Sequence, residues 1–462
     1  MSLDQFVDFE IQVNNSGVTR EGFGLIGILS HKNLFAARTK LYARTADMVT
    51  DGFAIDSPEV RSASRILQQQ PSTKRVLVLR ASDSAVIQKY ELPVKDTRDD
   101  TDYIVTIEGE GFDKTVCTHD SGSGATATSI VDALVILLNA IVDKTFTATN
   151  VGDVLTIIGD DVGDWFSVEI DSYDLLGIAQ THDDFDIAAS LDAIIRKDRS
   201  WYWIDTSFNS QDYVLAVSAW VEENKRAYIV DVNESDSVEV LGGLALGSDT
   251  PTDTLESLCL LEQRRTLYQW HQRPAAKLSA GLMGLLAPKN TGRWTAKGKT
   301  VVGVEPANLD DNQVANLLSR RANSYTAEGG KIVTWEGTIA NLEYGFLDVT
   351  VSLDWVSDAT IKACFAVSTA NDIVNFTDED IAMYEAAIKG QVILEALSPS
   401  HKIMAPGSLV NPDTDPPPSI SFPLVADIDP SVRALRELPD GQLTFRLAGA
   451  VHKVFVRATV SF

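Results

Sequence analysis

At 462 residues, 44% hydrophobic and 23% charged, the chain is long enough for roughly three domains and too apolar to be disordered over most of its length. Its 65 acidic residues against 39 basic ones give a formal charge of −26, which argues against unspecific nucleic-acid binding and against attachment to anionic membranes. Cys117, Cys259 and Cys364 stand alone, giving neither a disulfide framework nor a Cys-x-x-Cys metal site; with no signal-like start and no apolar run of ~18 residues, assembly in the cytosol is expected.

Residues 3–13 alternate, with Leu3, Val7, Phe9, Ile11 and Val13 on one face and Asp4, Asp8, Glu10 and Gln12 on the other, the period of a half-buried strand. Residues 14–17 break the pattern without supplying a hairpin partner, so this strand is expected to join a sheet elsewhere, in its own subunit or in a neighbour. An apolar run follows at 23–30, then a helix over 58–70 with Val60, Ala63, Ile66 and Leu67 inward, then a continuously apolar strand at 75–79. The same grammar resumes as a helix at 189–195, a strand at 201–204, a helix at 212–223, a strand at 227–232 and a helix at 257–268. Strands apolar on both faces that alternate with helices predict a covered α/β sheet.

Between these halves the texture changes. Strand-like 103–108 and 154–158 flank a helix over 130–141 whose stripe is Ile130, Leu134, Leu137, Leu138 and Ile141, which reads as a βαβ-type domain inserted at 95–187 in a surface loop. Asp160, Asp161 and Asp164, and likewise Asp183, Asp184 and Asp186, lack the oxygen spacing and closing Glu of a calcium loop and read as solvated turns.

The most regular stretch is 329–397. Val333, Trp335 and Ile339 share one face of a strand at 331–339, and Leu347, Val349, Val351, Leu353 and Trp355 alternate with Asp348, Thr350, Ser352 and Asp354, so a hairpin across 341–345 is predicted. Asp358 is expected to cap a short helix through Ile361, Phe365 and Val367. Thr377 with Asp380 caps a second helix carrying Ile381, Tyr384, Ile388 and Val392, with Asp378 at its N-terminal dipole. Residues 406–423, with Pro416-Pro417-Pro418, read as an extended linker, and 442–447 and 451–462 as strands. In the last strand Val454, Val456, Ala458, Val460 and Phe462 oppose Lys453, Arg457, Thr459 and Ser461. The acidic face of the first terminal strand and the basic face of the last suit cross-strand pairing within or between subunits.

No chemistry-bearing motif survives inspection. The stretch 292–300 nearly spells a phosphate-binding loop, but five residues separate Gly292 from Gly298 where four are required, and Val301 to Gly303 is expected to continue as a strand where the motif demands a helix. His31, His119, His182, His271, His401 and His452 never pair at ligand spacing, and Gly122-Ser123-Gly124 lacks a nucleophile elbow's context. Trp201, Trp203, Trp220, Trp335 and Trp355 fall on apolar faces, where core packing is the expectation. No catalytic, cofactor or metal residue is assigned.

Several ordered segments resemble contractile-tail sheath proteins of myovirus-type bacteriophages. Trp201-Tyr202-Trp203, the helix ending in Ala219-Trp220-Val221-Glu222 and the return strand from Arg226 form one such segment. Lys299, Gly303, Val304 and Pro306, followed by Leu309, Gln313, Leu317, Asn323 and Tyr325, form another. Phe346 to Asp348, Leu353 to Trp355 and Phe376 to Ile381 form the third, where this chain carries Asn375-Phe376 in place of a frequent Pro, and Glu379-Asp380 in place of a Gly. The resemblance implies a multidomain α+β / α/β fold. Its parts would be a strand arm at 1–20, a discontinuous α/β domain at 21–94 and 188–328, the β-rich insertion at 95–187, a C-terminal core at 329–441 with its linker at 406–423, and a strand arm at 442–462. It implies a non-enzymatic virion subunit without cofactors that stacks as hexameric rings around a tail tube. Its partners would be copies of itself, the tube, the baseplate and the tail terminator. Val7, Phe9, Ile11, Val13, Val454, Val456, Ala458 and Val460 would exchange strands between subunits, and Trp335, Asp348, Trp355, Thr377 and Asp378 would mark the C-terminal core. The competing class is an α/β enzyme or carbohydrate-binding protein with the insertion as a lid.

Overall fold

A computed structural model describes residues 23–81, 87–161, 164–182, 186–234, 253–408 and 415–452. Among the described residues the chain packs as two units, one drawn from 23–288 with 296–347 and one from 289–295 with 348–452. The terminal strand expected at 3–13, and all but the first two residues of that expected at 451–462, lie outside the described residues, and with them all eight proposed exchange residues.

The larger unit begins with β1 (Ile26–Ser30), β2 (Thr39–Tyr42), α1 (Thr45–Thr50), α2 (Pro58–Leu67) and β3 (Val76–Arg80). The Ser57 hydroxyl caps α2 by accepting from the Val60 amide at 3.3 Å, with Pro58 in the first turn. An insertion follows, described below, and then α4 (Ile187–Ile195), β11 (Trp203–Asp205), α5 (Gln211–Glu223), β12 (Ala227–Val232), α6 (Thr254–Leu260), β13 (Thr266–Trp270), α7 (Leu278–Leu286) and α8 (Asp311–Ser319). The sheet order is β13-β12-β11-β1-β3-β2, parallel except for β2. Every residue of β1, β3, β12 and β13 is buried, as strands covered on both faces require. Trp201 stacks on Trp220 at 5.9 Å with the Arg226 guanidinium 5.0 Å from its ring, so the tryptophans pack as core.

One expected helix is corrected here. The residues of 257–268 divide between α6, which ends at Leu260, and β13. Glu262 is left-handed at φ 49°, Glu222 holds Arg264 and Arg265 at 2.9 and 3.1 Å, and Thr266–Trp270 is buried at every position between the helix layers. Burial on both faces removes the periodicity that separates strand from helix.

The insertion comprises β4 (Gln88–Pro93), β5 (Asp102–Gly109), β6 (Phe112–Asp120), α3 (Ala127–Asn139), β7 (Phe146–Val151), β8 (Val154–Gly159), β9 (Phe166–Ile170) and β10 (Ala179–His182). Its sheets, β10-β4-β8-β7 and β6-β5-β9, are antiparallel throughout, so among the described residues it is an α+β body without a βαβ unit. Ile130, Leu134 and Leu138 of α3 pack on Tyr103, Phe146 and Phe166 in a core of its own.

The hairpin expected between 331–339 and 347–355 is also corrected. β15 (Lys331–Thr334) pairs instead with β14 (Tyr325–Glu328) across Gly329 and Gly330, whose φ of 56° and 80° supply the two left-handed residues of a type I′ turn. Leu347–Ala370 is a single 24-residue helix, α9, continuous through the short helix expected from Asp358. Its alternation misleads because Thr350, Ser352 and Asp354 are as buried as Leu347 and Val351, so no solvent face follows the period of two. Farther along, Thr360 and Ser368 return their hydroxyls to the carbonyls of Val356 and Cys364, satisfying polar atoms inside the helix's own turns.

In the smaller unit α9 is joined by α10 (Asp378–Ile388), prolonged by a π turn at Lys389–Ile393 and a last turn at Leu394–Leu397. Val356, Cys364, Ile388, Val392 and Met404 form its core. Two short antiparallel strands, β16 (Ser419–Ser421) and β17 (Gln442–Thr444), lie beside it, β16 within the expected linker. Trp335, grouped by sequence with the C-terminal core, packs instead in the α/β unit, with Nε1 donating to Thr326 Oγ1 at 2.6 Å.

Candidate functional site

Open parallel sheets bind ligands beyond the carboxyl ends of their strands, so that cleft is where an α/β enzyme would work. Here β11 ends on Asp205 and β12 carries Asp231 beside its end, both buried. Asp231 accepts from the Ser279 amide at 2.9 Å, the Ser279 hydroxyl at 3.0 Å and Gln269 Nε2 at 2.7 Å. Ser279 stands in the first turn of α7, so the carboxylate also sits at that helix's positive end. Asp205 accepts from Ser62 at 2.5 Å and from Ser279 at 3.2 Å. Burial raises the Asp205 carboxyl above the usual carboxylate range, and the Lys277 charge opposes the rise. Lys277 donates to the Thr206 carbonyl at 2.9 Å. From the insertion, Trp165 donates to the Ser207 carbonyl at 3.1 Å and Gln180 accepts from the Asn209 amide at 3.2 Å. What remains between Tyr90, Trp165, Asn209, Asp231 and Lys277 is a cavity of about 20 Å³, room for one water and for no substrate. The cleft is a filled joint.

The same joint has a charged latch. Glu108, at the end of β5, accepts from Arg273 through both oxygens, at 2.7 and 3.0 Å, and from Arg61 of α2 at 2.9 Å. Burial pushes the Glu108 carboxyl up, but Arg273 and Arg61 together outweigh it and hold the group below its ordinary value. Arg61 also lies 5.3 Å from the Trp165 ring. Two residues on, Glu110 pairs with Lys32 after β1, and there burial dominates, raising the carboxyl to about 7. A lone Glu between Ile107 and Gly109 gives no sequence signal of this role.

The segments that carry the sheath resemblance turn out to be braces. Gly303 is left-handed at φ 78°, and a Cβ there would lie 1.8 Å from Arg65 Nη1. Gln68 and Gln69, at the C-terminal end of α2, donate to the Val302 carbonyl at 3.1 and 3.2 Å, and Gln69 accepts from the Val302 amide at 3.0 Å. The strand expected at 301–303 is therefore a turn, held by side chains in place of a ladder. Asn323 accepts from the Gly337 amide at 2.8 Å and donates to the Thr338 carbonyl at 2.9 Å, while the Tyr325 hydroxyl accepts from the Val301 amide at 3.0 Å. Lys299, in the near phosphate-loop stretch, is zipped backbone to backbone against Thr334 at 2.9 Å.

Of the residues assigned to the C-terminal core, Asp348 stands in the first turn of α9 and Trp355 packs against His401 with ring centres 4.6 Å apart. Thr377 accepts from the Asp380 amide at 3.1 Å as the N-cap of α10, and Asp378 accepts from the Val425 amide at 2.8 Å. Asp160 accepts from Thr147 across the β7–β8 hairpin at 2.6 Å, and Asp164 closes a local turn, accepting from the Asp161 amide at 2.7 Å. Among the described residues no three His, Cys, Asp or Glu side chains converge as a metal site.

No protein-family model matches the chain, and no characterised protein matches it in sequence. Among solved structures, it is similar to a sheath tail protein from Desulfitobacterium hafniense, at 9% identity and a TM-score of 0.45, over 90% of this chain and 94% of that one. It is also similar to a chain of the anti-feeding prophage baseplate, at 11% identity and a TM-score of 0.43, over 60% of this chain and 73% of that one.

Proposed function

We propose that the chain is the structural subunit of a phage contractile tail sheath. Copies polymerise as stacked hexameric rings around a tail tube, between baseplate and tail terminator, and contraction drives the tube through the host envelope. Assembly takes place in the host cytoplasm, and the product resides in the virion tail. The terminal strands at 3–13 and 451–462 add to sheets of neighbouring subunits through Val7, Phe9, Ile11, Val13, Val454, Val456, Ala458 and Val460, so that main-chain ladders hold the lattice while the folded bodies rotate. The observation that carries this reading is that the residues of the sheath-like segments brace the fold, Gly303 on α2 and Asn323 and Tyr325 on adjoining loops, while the cleft an α/β enzyme would use is closed by the insertion.

Deleting 1–13 or 451–462 tests it. Each truncated chain should keep the melting temperature of the full chain and sediment as a monomer; polymers from both truncations would refute strand exchange.

A further inference from the structure

The insertion carries a surface that neither the filled joint nor the terminal strands use. β6 is the edge strand of its sheet, paired only with β5 among the described strands, and α3 crosses beside it. Between β6 and the C-terminal end of α3 runs an open groove of about 690 Å³ lined by Phe112, Val116, Cys117, Leu137, Ile141 and Val142. Its apolar side chains are wet: Val142 is 75% exposed and Val116 58%. A groove with exposed apolar side chains among its polar lining, beside a strand edge unpaired among the described residues, is a place where another chain can add.

The charge around the groove selects what adds. Asp113 and Asp143 are the charged residues that line it, and the stretch 95–187 holds 20 acidic residues against 4 basic ones, so most of the chain's excess negative charge sits on this body. A second copy of the insertion, or any acidic strand, meets like charge directly opposite. A strand with cations on one face and β-branched residues on the other places each on its complement.

We propose that this groove is a docking site for an extended segment of a second protein, alternating Lys or Arg with apolar β-branched residues, which adds as a strand to the free edge of β6. The backbone ladder supplies affinity, Val116, Leu137 and Val142 receive the apolar side chains, and Asp113 and Asp143 select the cationic ones.

The test uses the full chain and a fluorescent octapeptide of alternating Lys, Val and Thr, read by anisotropy, with the Glu-for-Lys peptide as its counterpart. The cationic peptide should bind saturably in the micromolar range and the acidic one should not. Val142→Lys and Asp113→Lys, both at exposed positions, should each weaken binding about tenfold. Glu343→Lys, an exposed position of the α/β body where the substitution alters net charge by the same amount as Asp113→Lys, should leave binding unchanged. Absence of saturable binding, equal loss with Glu343→Lys or equal binding of the acidic peptide would overturn the proposal. So would tighter binding at the same groove by a peptide of this chain's own 451–462, which would make the occupant a second copy.

Discussion

Arg273 grips Glu108 with two parallel hydrogen bonds, Nε to Oε1 at 2.7 Å and Nη2 to Oε2 at 3.0 Å, joining a loop of the α/β sheet to the end of an insertion strand. The planar fork of a guanidinium on a carboxylate fixes direction as well as distance, and Arg61 adds a third bond from a different element. Glu108→Gln leaves two guanidiniums facing a neutral amide and should cost about 2 kcal/mol, read from urea unfolding at neutral pH. Because the folded carboxyl is held below its ordinary value, the stabilisation it gives is present above the unfolded carboxylate's pKa and is lost as the pH falls through the folded one. The variant should lose that acid sensitivity.

Glu110 runs the other way. Its carboxyl is raised to about 7, so the folded protein holds a proton that the unfolded chain, titrating in the ordinary range, has released. Its contribution is therefore full at acid pH and declines as the pH rises from the ordinary carboxylate value towards 7. Glu110→Gln should flatten that decline, making the unfolding midpoints at pH 5 and pH 7 more nearly equal than in the parent chain.

At Gly303 the left-handed backbone demands glycine, and a Cβ there would displace the tip of Arg65. Alanine there strains a left-handed residue and drives a methyl into Arg65, so the loss should exceed about 1 kcal/mol and appear as a lower melting temperature. Recovery on adding Arg65→Ala would separate the steric part from the backbone part.

Asp205 and Asp231 share Ser279 but carry different burdens. The raised Asp205 carboxyl meets two hydroxyls that can rotate, so Asp205→Asn should cost under about 1 kcal/mol. Asp231 meets a fixed amide and a fixed carboxamide, and the new NH2 of Asp231→Asn opposes one of them, so a loss of about 2 to 3 kcal/mol is expected in the same unfolding assay.

The α/β sheet was legible in sequence because its strands are apolar on both faces and its helices carry clear stripes; Pro58–Leu67 and Ala227–Val232 fall where their patterns place them. Thr377 likewise caps α10 as its spacing predicts. Helix α9 was not legible, since its buried Thr, Ser and Asp mimic the polar face of a strand. Nor was α7, whose residues Leu278–Leu286 are all buried and so show no period at all. The joint escaped for another reason. Glu108, Arg61 and Arg273 lie far apart in sequence and become a site only when three elements meet.

The central claim is self-assembly, and negative-stain electron microscopy of the purified full chain tests it most directly. The full chain should form rings with sixfold end views that stack into hollow tubes, absent when either 1–13 or 451–462 is deleted. A full chain that remains a monodisperse monomer at every concentration up to its solubility would contradict it.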